Sequence, residues 1–305
     1  FCLLAQSWRE EIVMAIDDVK RIAVVGAGAM GSQIAMVCAL AGYEASVCDA
    51  APEAVKKAEA WAAKWLDERV AKGRLTAEQT AAARKHLTYA PSLAAAAAQA
   101  DFVIEAIIEE EDAKRACFAE LDKICPPHAI LATNSSSILS SRIADATKRP
   151  DKVLNMHFFN PAVVMELVEV MGHPGTSEES MATTMELSRR IGKTPVRVRK
   201  EIPAFIANRI LHAVANEAMR LVEKGVATPE EVDLAVEKGL RYPLGPFRLM
   251  DLTGIDVGYQ VRMARYRMSG DPADKPNPLL VAKYEKGEYG RKTGKGWYEY
   301  PEQKT

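Results

Sequence analysis

Long apolar runs are missing from this 305-residue chain. No stretch approaches the ~20 residues that cross a bilayer, and the longest alanine tract, Ala94 to Ala98, is short. A membrane span is therefore not expected. Excess charge of one sign is missing as well: 40 basic side chains face 41 acidic ones, for a formal net charge of −1. Nothing marks the chain as a whole as an electrostatic binder of nucleic acid or of a membrane surface. Cysteine is sparse. Cys2, Cys38, Cys48, Cys117 and Cys125 are odd in number and show no Cys-x-x-Cys spacing, which argues against a disulfide framework and against a zinc site. A reducing cytoplasm is the expected setting, with no metal. No internal repeat is present. Residues 1–13 lack the uninterrupted apolar core of a secretory signal, because Arg9-Glu10-Glu11 breaks it. Met14 reads as the start of the patterned chain, with Phe1 to Val13 as a leader or a docked extension.

What is present falls into two textures. From residue 20 to residue 198, short apolar runs alternate with helical patterns: Arg21 to Val25, Glu44 to Cys48, Asp101 to Ala106, Ala129 to Thr133, Val153 to Met156, Leu167 to Val170 and Pro195 to Val198 read as strands. Such alternation predicts parallel pairing through crossovers in an open α/β sheet covered on both faces. Residues 53–86 read as a charged, alanine-rich helical hairpin turning near Gly73. After Pro203 the apolar residues Phe205, Ile206, Ile210, Leu211, Val214, Met219 and Leu221 recur at helical spacing, and Thr228-Pro229-Glu230-Glu231 carries a capping residue, a proline at the first helical position and acidic residues in the first turn. The expected fold is an α/β Rossmann-type dinucleotide-binding domain over 14–198, with the hairpin as an insertion, followed by an all-α C-terminal domain over 199–305.

Gly26-Ala27-Gly28-Ala29-Met30-Gly31 directly follows the first strand and opens a buried helical pattern. Gly26 suits a tight turn, Gly28 the close approach of a pyrophosphate and Gly31 the packing of helix on strand. A glycine pattern alone is weak evidence. Here the next strand ends at Asp49, the spacing expected of a ribose-binding acid. A carboxylate there accepts from both ribose hydroxyls and repels a 2′-phosphate, so NAD is expected over NADP.

The block Met156-His157-Phe158-Phe159-Asn160-Pro161 is followed by Leu167-Val168-Glu169-Val170. Oxidation of an alcohol needs a base for the hydroxyl proton and a carboxylate to orient that base and stabilise its charged form. His157 and Glu169 fit those roles. Asn134, Asn155 and Asn160 add polar density near strand ends, where open α/β sheets bind ligands. Asn134-Ser135-Ser136-Ser137 also suits a cap for a helix from Ile138 onward.

These residues together resemble the short-chain L-3-hydroxyacyl-CoA dehydrogenase family over nearly all of Val19 to Tyr300. The resemblance is carried by the Gly26 to Gly31 loop, Glu105-Ala106-Ile107-Ile108-Glu109, Asn134 to Ser137, His157 to Pro161, Leu167 to Val170, Phe205-Ile206-Ala207-Asn208-Arg209, Tyr242 to Phe247 and Lys292 to Gly296. It implies reversible oxidation of an L-3-hydroxyacyl-CoA by NAD, with His157 as general base and Glu169 as its partner. Ser136 and Asn208 would bond the substrate near its reacting oxygen, and Ser136 would lie against the nicotinamide ribose. Gly26, Gly28, Ala29, Met30, Gly31, Asp49, Glu109, Lys114 and Lys292 would contact NAD, and Lys72 and Asn160 the CoA moiety. A homodimer through the helical domain is also implied. The chain departs from the family's pattern at Val163 and Glu166, at Trp65, and at Pro203-Ala204-Phe205, where the family has Pro-Gly-Phe. The alternatives are a dehydrogenase of a non-CoA 3-hydroxy acid and a non-enzymatic nucleotide-binding relative.

Overall fold

The structure is a computed structural model that describes residues 16–270 and 272–301. Phe1 to Val13, Met14 and Cys2 lie outside the described residues. The chain divides into two compact units, one ending at Ile206 and one beginning at Ala207.

In the first unit eight strands form one sheet: β1 (Arg21–Val25), β2 (Glu44–Cys48), β3 (Leu87–Tyr89), β4 (Phe102–Glu105), β5 (Ile130–Thr133), β6 (Val153–Phe158), β7 (Leu167–Gly172) and β8 (Thr194–Val198), in the order β3-β2-β1-β4-β5-β6-β7-β8. Strands buried on both faces read as continuous apolar runs, and β4, β5 and β6 are buried throughout. One face of the sheet packs Val24, Ile104, Ala132, Met156 and Val170 with helices α1 (Ala29–Leu40) and, later in the chain, α6 (Glu178–Arg190). The other packs Val25, Val103, Leu131 and Val153 with α4 (Leu93–Ala97) and α5 (Glu111–Ile124). Between β2 and β3 the chain forms α2 (Pro52–Ala71) and α3 (Ala77–His86), with Gly73 at φ 61 between them.

Two features of the sheet differ from the sequence expectation. β6 and β7 are antiparallel, whereas the other pairs are parallel. Residues 159–166 are too few for a crossover, so the chain must return beside the strand it has just left. The second is β3, three residues following α3 directly, too short for an alternation pattern to register.

The second unit holds α7 (Ala207–Glu223), α8 (Pro229–Gly239), α9 (Pro246–Thr253), α10 (Ile255–Ser269) and α11 (Pro278–Glu285). Its core gathers Met219, Val232, Phe247, Ile255 and Leu280. Thr228 and Glu231 form a reciprocal capping box at the start of α8, with Pro229 in the first turn. The tail folds back on two buried carboxylates. Asp233 accepts from the backbone of Phe247 and Arg248 and from the Tyr298 hydroxyl, and Asp251 accepts from the backbone of Trp297 and Tyr298. Among the described residues no helix is long and apolar enough to cross a membrane.

Candidate active site

Antiparallel pairing of β6 and β7 places His157 directly opposite Glu169. Both side chains are buried, at 5% and 1% exposure, and His157 Nδ1 lies 3.1 Å from Glu169 Oε2. With Nδ1 engaged, Nε2 is the nitrogen that can meet a substrate proton. Glu169 Oε1 also accepts the backbone N–H of Ile206 at 3.0 Å. A buried carboxylate requires such partners, because desolvation otherwise penalises its charge. Valines 168 and 170 point into the first core while Glu169 points to the other face, as the period of a strand dictates. The imidazole contacts two phenyl rings: Phe205, stacked at 4.7 Å and 23°, and Phe159, tilted at 4.6 Å and 60°.

The glycine loop joins β1 to α1. Gly26 has φ 107, and a Cβ there would sit 2.5 Å from the Ala106 carbonyl oxygen; a Cβ on Gly31 would sit 1.8 Å from the Gly26 oxygen. At Gly28 nothing lies within 4 Å of an added Cβ, so the loop presents open space at the start of α1, where helix N–H groups favour phosphate. Ala29 and Met30 form the first turn of that helix. Asp49 follows β2 directly and tethers the loop: its Oδ2 accepts the Ala27 N–H and its Oδ1 the Ala51 N–H, both at 2.8 Å. The carboxylate therefore has a structural task alongside any ribose. The open cradle, the helix start and the acid together fit a dinucleotide.

Beside this loop lies a buried ionic network. Lys114 is 1% exposed, with its Nζ 2.7 Å from Glu105 Oε1 and 3.3 Å from Glu109 Oε2. Glu105 is completed by the Thr133 hydroxyl and the Ile107 N–H, each at 2.7 Å. Glu109 in turn accepts from the Ser135 and Ser137 hydroxyls and from the Ser137 N–H. Burial opposes its ionisation, yet the Lys114 charge and the serine donors hold its carboxyl below the ordinary carboxylate range. Lys114, expected at the cofactor, thus spends its ammonium inside the protein. Glu105 carries the network at its centre, and the sequence reading assigned it no role.

The segment after β5 is not the helix expected from Ile138 onward. It forms short 3-10 turns at Ser140–Arg142 and Ala144–Ala146, although Ser135 Oγ does accept the Ile138 N–H at 2.8 Å. The Asn155 side chain takes the Ser140 N–H and donates to the Ser135 and Ile138 carbonyls, and Asn134 Oδ1 accepts the Phe158 N–H. These asparagines shape the serine loop from within. The carbonyl of Ser136 accepts the Ala204 N–H at 2.9 Å.

The remaining candidates lie further out. Asn160 is exposed at the turn after β6, and Lys72, at the end of α2, is exposed and 3.5 Å from Glu68. Trp65, on the same helix, lies 6.0 Å from the Trp61 ring and under Arg69. In the second unit Asn208 stands in the first turn of α7, and Lys292 pairs with Asp256 at 2.5 Å.

Residues 21–202 match the family described as "3-hydroxyacyl-CoA dehydrogenase, NAD binding domain", and residues 205–300 match its "C-terminal domain". The chain is 40% identical to a probable 3-hydroxybutyryl-CoA dehydrogenase of Bacillus subtilis, across 93% of this chain and 99% of that one. It is 39% identical to a 3-hydroxybutyryl-CoA dehydrogenase of Clostridioides difficile, across 92% and 99%. Among solved structures, FadB2 of M. tuberculosis superposes with a TM-score of 0.86 at 39% identity, covering 93% of this chain and 99% of that one.

Proposed function

We propose, for a chain that belongs to the 3-hydroxyacyl-CoA dehydrogenase family and is therefore an NAD-dependent oxidoreductase, that it interconverts a short L-3-hydroxyacyl-CoA, such as 3-hydroxybutyryl-CoA, with its 3-ketoacyl-CoA. The observation that carries the mechanistic reading is the buried His157–Glu169 pair. Bound NAD supplies the acceptor for the hydride that leaves C3. His157 takes the hydroxyl proton at Nε2, which raises electron density on the oxygen as that hydride departs. Glu169, held against Nδ1, keeps that nitrogen protonated and stabilises the imidazolium as it forms. In the reverse direction the imidazolium returns the proton to the ketone. Ser136 and Asn208 are assigned to the reacting oxygen, Asp49 to the adenosine ribose, Glu109 and Lys292 to NAD, with Lys114 acting there through its ion pair with Glu109, and Lys72 and Asn160 to the CoA moiety. The second unit exposes Ile210, Leu234, Leu240, Leu252 and Val257, the kind of apolar surface that a homodimer would cover.

Steady-state rates with NAD for a series of 3-hydroxyacyl-CoA thioesters and for free 3-hydroxybutyrate test the substrate. Higher kcat/KM for a thioester is expected, since binding energy from the remote CoA supports the reacting centre. Faster turnover of the free acid rejects the CoA assignment. Glu169→Gln should lower kcat by about 10²-fold or more with the NAD Kd preserved. Unchanged turnover rejects the pairing.

A further inference from the structure

β8 ends at Val198 and α7 begins at Ala207, and the residues between them do more than connect. Three consecutive residues each hold a different member of the proposed proton-handling group. The Ala204 N–H donates to the Ser136 carbonyl at 2.9 Å. The Phe205 ring lies on the His157 ring at 4.7 Å, 23° from parallel. The Ile206 N–H donates to Glu169 Oε1 at 3.0 Å.

The backbone that makes this possible is unusual. Ala204 and Phe205 have φ 65 and φ 54, both in the left-handed region that residues with a Cβ avoid. Two such residues in succession persist only where the surroundings over-determine them. Phe205 is 1% exposed in a cluster with Met171 and Val198, against Leu139 and Ile202. The segment is also stapled upstream, where Glu201 Oε1 accepts from the Ser140 hydroxyl and the Ser141 N–H.

We propose that Ala204, Phe205 and Ile206 form a positioning strap that fixes Ser136, His157 and Glu169 relative to one another, with Phe205 setting the plane of the imidazole. The proposal rests on His157 being the proton acceptor. One hydrogen bond from Nδ1 to Glu169 leaves the ring free to tilt about that bond. The flat face of Phe205, stacked 23° from parallel on the imidazole, removes the tilt and gives Nε2 a single direction. A displacement of 1 Å at a reacting group can cost about 10²-fold in rate, so a strap that touches no substrate still governs kcat.

The test is a series at position 205. Phe205→Leu and Phe205→Met fill the space without a planar face, while Phe205→Tyr retains the ring. The two aliphatic variants are expected to lose about tenfold to 10²-fold in kcat with KM for thioester and NAD, and the NAD Kd, close to wild type. Tyrosine should restore most of the loss. By NMR, the His157 ring proton shared with Glu169 should broaden in the aliphatic variants through exchange with water and return with tyrosine. Met covers the case in which Leu does not fold. Equal kcat in aliphatic and aromatic variants overturns the strap, as does a parallel fall of kcat, NAD affinity and thermal stability, which would mark Phe205 as core packing alone. His157→Gln separates the two ideas. If it retains turnover, the proton-acceptor reading fails; if it abolishes turnover while the 205 series stays flat, only the strap fails.

Discussion

Taking an ammonium and a carboxylate out of water costs several kcal/mol for each ion even after relaxation, and Lys114 and Glu105 are 1% and 0% exposed. Their 2.7 Å contact offsets that cost only because Thr133 and the Ile107 backbone also serve the carboxylate and Glu109 also serves the ammonium. Removing one ion leaves the other buried and unpaired. Lys114→Met should therefore cost about 3–5 kcal/mol, whereas Lys114→Met combined with Glu105→Gln should cost less than Lys114→Met alone. Urea unfolding of the single and double variants measures this, and strictly additive losses would show that the two charges do not depend on one another. Loss of Lys114 also strips Glu109 of its cation, which should loosen the grip of Glu109 on Ser135 and Ser137.

The strand–loop–helix from β1 to α1 separates two kinds of glycine. Gly31 is required by the fold, since a Cβ there would lie 1.8 Å from the Gly26 carbonyl oxygen and one backbone segment would have to move. Gly28 has φ −69 and no protein atom near an added Cβ, so the fold makes no demand on it. Gly28→Ala should accordingly keep thermal stability within about 0.5 kcal/mol while NAD affinity falls at least about tenfold, or 1.4 kcal/mol, because the new methyl occupies the space a pyrophosphate would use. Gly31→Ala should lose about 1–3 kcal/mol of stability through overpacking. Thermal melts paired with NAD titrations distinguish the two. Unaltered NAD affinity in Gly28→Ala would place the pyrophosphate elsewhere.

Across the whole molecule, legibility follows what side-chain type encodes. The open sheet and the helical second unit are legible because buried strands and amphipathic helices write their periods into apolar positions. His157 and Glu169 are legible as neighbours because two strands joined by residues 159–166 must meet. The direction of β7 is less visible, since a period of two says nothing of polarity, and the shortness of the link is its only trace. The strap is hidden for another reason. Phe205 and Ile206 continue a helical spacing, yet α7 starts at Ala207, and the contacts that matter are two backbone N–H groups and a ring face held at positive φ. Glu105 is hidden likewise, because a glutamate at a strand end gives no sign of its burial. In the second unit the same lack of signal surrounds His212. Its Nδ1 accepts from Arg265 at 3.1 Å. Burial first, then the charges of Arg262, Arg265 and Arg209, push it down to about 4, with Asp274 opposing. An unfolded histidine titrates near 6.5, so between those values the unfolded chain holds a proton that the folded chain does not. Stability from this residue is therefore present above about pH 6.5 and lost as pH falls toward 4. His212→Gln, which keeps an acceptor for Arg265 but does not titrate, should lose less stability on acidification than wild type over that window. Melting temperatures of both proteins at about pH 7 and about pH 5 decide it, and equal losses would mean that His212 is protonated in the folded protein as readily as in the unfolded one.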